Sequence, residues 1–123
     1  MQDHRKLDVW KKAHALAIDV RRGTRNFPLV ATDPYSRRWC ARPESVVFNI
    51  IEGCGSRSQR EFARFLDIGI KSTMELEGEL ELAKDYGVLD RREWEALTGE
   101  AVRVRRMLCG LRAKVLSKPV VTG

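Results

Sequence analysis

NIIEGCGSRSQREFARFL, residues 49–66, decides the fold. Asn49-Ile50-Ile51-Glu52 reads as a last helical turn. Gly53 follows as a residue free to take the positive φ that closes a helix, and Gly55 leaves the chain free to reverse. Ser58 suits a helix N-cap because its hydroxyl accepts from an otherwise orphaned backbone N–H, and Glu61 completes the capping-box spacing. An apolar stripe starts at once: Phe62, Leu66, Gly69, Thr73, Leu76, Leu80 and Ala83. Steps of four and three place these residues on one helical face, which Phe65, Ile68, Ser72 and Leu82 widen. Two helices joined by so short a connection lie antiparallel.

Upstream, the spacing predicts a helix from about Asp8 to Thr24, with Leu7, Trp10, Ala13, Ala17 and Val20 on its apolar face and Val9 and Leu16 beside them. Phe27-Pro28 closes that segment. Asp33-Pro34 is a cap followed by a proline at the first helical position, and opens a second helix reaching about Glu52. Its apolar face is Tyr35, Trp39, Val46 and Ile50, with Val47 and Ile51 adding to it. Pro43 falls inside it and predicts a kink or break.

Downstream, the third helix runs from Gln59 to about Tyr86, and Gly87 ends it. Asp90 caps the fourth, with Glu93 at the capping-box position and Leu89 and Trp94 placed as a hydrophobic staple. Trp94, Leu97, Ala101, Val104, Leu108, Leu111 and Val115 then repeat in strict three–four alternation, a seam for bundle or coiled-coil packing. No alternating strand pattern and no internal repeat is present. The reading is all-α: an antiparallel up-down-up-down four-helix bundle. Residues 1–123 make a single domain, with 1–6 and 118–123 as loose tails.

Of the 123 residues 33% are charged and 7% aromatic, a helix-rich balance. No apolar run has membrane-spanning length, and the first ten residues lack a signal-peptide core, so a cytoplasmic protein is expected. Cys40, Cys54 and Cys109 form no CxxC pair, which argues against a disulfide framework or zinc site. His4 and His14 have no ligand or catalytic partner at useful spacing. Phosphate loop, nucleophile elbow and HExxH are missing, as is the Glu-x-x-His of di-metal bundles. Neither an enzyme nor a cofactor or metal is expected.

The net charge of +6 is unevenly spread. The segments before Ser58 and after Asp90 are basic, while the third helix carries Glu61, Asp67, Glu75, Glu77, Glu79, Glu81 and Asp85. Glu75/Glu79 and Glu77/Glu81 repel one turn apart and call for a basic neighbour. Arg37, Arg38 and Arg42, interleaved with Tyr35 and Trp39, are the first candidates for phosphate contact and base stacking. Arg103, Arg105 and Arg106 are the second. For both groups the plainer alternative is a solvated basic face. Asn49, Glu52, Arg57, Glu61 and Arg64 crowd around the 53–58 turn, either as caps and surface ion pairs or as a polar cluster at a subunit interface or ligand site.

These residues also carry a resemblance. Leu7-x-Val9-Trp10-x-Lys12-Ala13, Phe27-Pro28, Asn49-Ile50-x-Glu52-Gly53, Arg57-Ser58-x-x-Glu61-Phe62-x-Arg64-Phe65-Leu66, Ser72-x-x-Glu75-Leu76-Glu77 and Tyr86-Gly87-x-Leu89 follow one another in the order of a known family. The chain resembles the small bacterial four-helix-bundle proteins first found encoded in intervening sequences of large-subunit ribosomal RNA genes. It departs from their pattern at residues 39–48, where the proline is displaced and the basic residues are rearranged. The resemblance implies a ring, most simply a homopentamer. It also implies relatives among accessory proteins of diversity-generating retroelements, which bind a reverse transcriptase and nucleic acid. The expectation is a non-enzymatic oligomer that binds nucleic acid, RNA before DNA, or scaffolds a nucleic-acid-processing protein. The alternative is a protein-interaction module with no nucleic-acid role.

Overall fold

The computed structural model describes residues 2–24 and 34–119, with side chains in the second helix from residue 41 onward. The loop expected over 26–32, the Asp33 cap and the side-chain roles expected of Tyr35, Arg37, Arg38, Trp39 and Cys40 lie outside the described residues. A 3-10 turn, His4–Lys6, leads into α1 (Asp8–Gly23), followed by α2 (Pro34–Cys54), α3 (Gln59–Asp85) and α4 (Arg91–Ser117).

Two predicted caps form as read. The Glu61 N–H donates to Ser58 Oγ at 3.1 Å, and the Glu93 N–H to Asp90 Oδ1 at 2.8 Å. Each satisfies one of the four amides that the start of a helix leaves without a carbonyl. Gly87, with φ of 78°, ends the turn after α3. Leu89 is buried and Trp94 packs on the core, as the staple requires.

Contacts between consecutive helices run in opposite sequence senses. Arg42 meets Glu75 and Glu79, Ser45 meets Ser72, and Gly53 lies against Phe62. Arg105 meets Glu77, Arg112 meets Asp67, and Gln59 reaches Val115. One partner's number falls as the other's rises, the pattern of antiparallel neighbours. Between them the helices enclose one core, with Leu16, Val46, Ile50, Leu66, Leu76, Leu80, Val104 and Leu108 at or near zero exposure.

The structure corrects several local readings. Gly53 stays helical and does not take positive φ; α2 runs to Cys54. What glycine supplies there is space, because a Cβ would stand 2.8 Å from Phe62 Cδ1. Pro43 is buried within α2, and the helix is not broken there. Residues 4–6 are a capped turn rather than a loose tail: the Arg5 N–H donates to Asp3 Oδ1, and the Gln2 N–H reaches the Cys54 carbonyl at 2.9 Å. Ile68 and Leu82, expected to widen the core face of α3, are exposed instead, while Ala63, outside the expected stripe, is buried.

Candidate functional site

The repulsive carboxylates of α3 do find basic neighbours, and the neighbours come from the same chain. Arg42 on α2 places Nη1 2.7 Å from Glu75 Oε2 and Nε 3.3 Å from Glu79 Oε1, so one guanidinium bridges the like-charged pair. Arg105 on α4 donates from Nε to Glu77 Oε2 at 2.9 Å and from Nη2 to Glu77 Oε1 at 3.5 Å, and this raises its already high pKa further. Arg112 Nε lies 2.6 Å from Asp67 Oδ1, a close ion pair without hydrogen-bond alignment. Two of the arginines expected to meet phosphate, Arg42 and Arg105, are therefore engaged in holding α2 and α4 against α3.

Arg103 and Arg106 behave differently. They are exposed, make no ion pair among the described residues, and line an open groove of about 560 Å³ with Gly99, Val102 and Met107. Helix geometry separates them from Arg105. Residues three apart sit about 60° apart around a helix, whereas Arg103 and Arg105 are about 160° apart. The basic run is thus divided between a structural ion pair and a solvent-facing pair.

The five residues of the 53–58 turn are only partly brought together. Glu52, Arg57 and Glu61 border one shallow depression of about 350 Å³ with Phe65. Asn49 turns back on its own helix, its Nδ2 donating to the Ser45 carbonyl at 2.8 Å and to Ser45 Oγ at 3.2 Å. Arg64 lies over the Phe65 ring, 4.6 Å from its centroid. No ion pair links the five among the described residues.

Other features fall outside the sequence expectations. His4 and His14, which lacked a partner in sequence, both pack on Trp10: His14 stacks at 4.9 Å and His4 meets it edge-on at 5.1 Å. The i, i+4 spacing of Trp10 and His14 was the available signal. Between α1 and α4, the Glu100 carboxyl is pushed up to about 7, chiefly by burial and then by its hydrogen bond to Asp19. Cys54 is buried, which pushes its thiol up; Cys109 is exposed. Among the described residues no group of three or more His, Cys, Asp or Glu could hold a metal ion, and no helix is long and apolar enough to cross a membrane.

Some exposed apolar side chains stand on the outer sides of α2 and α3. Phe48 on α2 is 61% exposed, and Ile68 and Leu82 on α3 and Tyr86 just after it are also exposed. From Ile68 they recur at steps of fourteen and four, keeping them on one side of the helix.

Four helices around one core, with ion-paired seams and shallow surface grooves, define a small all-α bundle. The family model described as 23S rRNA-intervening sequence protein matches residues 5–110, and the chain belongs to that family. It is similar to a solved structure from Bacteroides thetaiotaomicron, a protein of unknown function from the S23 ribosomal protein family. The two share 20% identity over 85% of this chain and 97% of that one, with a TM-score of 0.76, a likeness of fold. No curated protein matches the chain.

Proposed function

We propose that the protein is a non-enzymatic, self-assembling nucleic-acid-binding or scaffolding protein of the cytoplasm. Its assembly is a homopentameric ring, and RNA is preferred to DNA. The observation that carries this reading is the fate of the charges. The acidic helix is largely answered from within the chain by Arg42, Arg105 and Arg112, yet Arg57, Arg60, Arg103 and Arg106 remain exposed without an ion pair among the described residues. Among the described residues these four cations are therefore displayed, not spent inside the fold. A ring multiplies each displayed cation by the number of subunits, so weak phosphate contacts add up through effective concentration.

A second reading has its own support. The exposed Phe48, Ile68, Leu82 and Tyr86 fit a protein-interaction module, with the second copy or another protein covering them. The test is a salt titration of binding to a labelled RNA and a matched duplex DNA, on protein of known mass in solution. Binding that weakens steeply with salt, on a species five times the chain mass, supports the first reading. No binding at low salt refutes it and leaves the interaction module.

A further inference from the structure

The end of the bundle where α3 begins and α4 finishes carries a basic groove that none of the residues singled out for phosphate contact accounts for. Gln59 builds it. Its Nε2 donates to the carbonyls of both Val115 and Lys118, each at 2.8 Å, and so ties the end of α4 beside the first turn of α3. Arg57, Arg60 and Lys118 are thereby collected from two distant stretches of chain around one open groove of about 680 Å³. Leu116, half exposed, and Pro119 give it an apolar wall. No carboxylate lines it among the described residues, and its three cations make no ion pair there. A second groove of about 600 Å³ continues past Arg60 to Arg64, bordered by Glu61 and by the Asp67–Arg112 pair. The Glu61 N–H is already taken by Ser58 Oγ, and beside that capped helix start the groove presents three cationic side chains.

We propose that this groove, with Arg57, Arg60 and Lys118 at its centre and Arg64 beside it, binds the phosphodiester backbone of a single-stranded nucleic acid. The inference rests on the nucleic-acid reading above and gives it a location. Guanidinium groups take phosphate oxygens in bidentate fashion, and Arg60 and Arg64 are about 6 Å apart along the helix axis, so they serve successive positions on a strand. Among the described residues no aromatic ring that could stack a base lines the groove, so it reads the backbone with little sequence preference.

The experiment measures binding of a fluorescent uridine 20-mer and a thymidine 20-mer by anisotropy across a salt series. It compares the full chain with the triple variant R57A/R60A/K118A and with R91A/R92A. The control residues lie at the other end of α4, about 37 Å away by helical rise. All three groove side chains are exposed and unpaired in the described structure, so the variant keeps its helicity and assembled mass, checked by circular dichroism and light scattering. The expected result is a loss of affinity of at least tenfold for the triple variant, less than twofold for the control, and a salt slope shallower by about 2. Equal losses in the two variants would reduce the effect to net charge and overturn the groove. So would an unchanged triple variant alongside a full chain that binds, which leaves the nucleic-acid reading standing. A full chain that binds neither strand refutes both. Uridine bound well above thymidine in the full chain, with both lost in the triple variant, places the RNA preference at this groove; both bound alike still supports backbone recognition there.

Discussion

Replacing Gly78 by alanine should stabilise the protein, and replacing Gly53 by alanine should not. Both glycines are inside helices, where alanine is worth about 1 kcal/mol over glycine because the backbone loses less freedom on folding. At Gly78 nothing stands within 4 Å of an added Cβ, so G78A gains that amount in full. For a chain of this length about 1 kcal/mol corresponds to roughly 4 °C in Tm. At Gly53 the same methyl would stand 2.8 Å from Phe62 Cδ1 and 3.0 Å from Cε1, with Phe65 Cβ at 3.5 Å. The Phe62 ring packs on the core and must swing away to admit it. Overpacking of this kind costs about 1–3 kcal/mol, so the net change for G53A lies between about zero and 2 kcal/mol destabilising. Urea unfolding followed by circular dichroism, with equal slopes for all variants, gives the two values directly. G99A is a second test of the open case, since nothing approaches Gly99 either. If G78A lowers the midpoint, the reasoning fails: some chain must approach Gly78 closely, and the α3 face there is an interface. If G53A stabilises as much as G78A, the α2–α3 contact is looser than the geometry states.

Three further outcomes follow from single residues. L108A, at a fully buried position in the α4 seam, should lower stability by about 2–5 kcal/mol in the same urea assay. D90A removes the acceptor for the Glu93 N–H and should cost about 1 kcal/mol. For E100Q the variable is pH. Burial first, then Asp19, raises the Glu100 carboxyl from 4.5 to about 7, against the pull of Arg103 and Lys12. A carboxyl raised in this way holds more protons folded than unfolded, so stability falls as pH rises from about 4.5 to 7 and levels off above that. Partial exposure screens the effect to about 1 kcal/mol. E100Q should flatten that slope in thermal melts across the window; an unchanged slope would assign it to other groups.

Much of the fold was legible because amphipathic periodicity and caps are local. Ser58 and Asp90 each needed only the amide three residues on, and the α4 seam of Leu97, Ala101, Val104 and Leu108 is buried as its spacing requires. Gly53 was misread because glycine has two uses, a positive φ and close approach, and only the position of Phe62 in the folded chain distinguishes them. Ile68 and Leu82 were misread because an apolar residue at the edge of a stripe is buried only if a neighbour helix reaches that far.

The candidate site was harder to read for a related reason. Whether an arginine is displayed or consumed depends on the helix next to it, and the run Arg103-Val104-Arg105-Arg106 contains both outcomes within four residues. Arg105 points along the α3 side and closes on Glu77, while Arg103 and Arg106 line the groove with Val102. Arg42 has the same history on α2, bridging Glu75 and Glu79 across the helix pair. In a bipolar chain the cations that face the acidic helix neutralise it, and the surface charge is what remains after that pairing. The groove at the end of the bundle belongs to this remainder. Arg57 and Arg60 precede the main acidic stretch of α3, and Lys118 follows the last turn of α4, so among the described residues no carboxylate lines the space between them. Only the Gln59 bridge brings those two stretches together, and a glutamine just inside a helix start carries no signal of that kind in sequence.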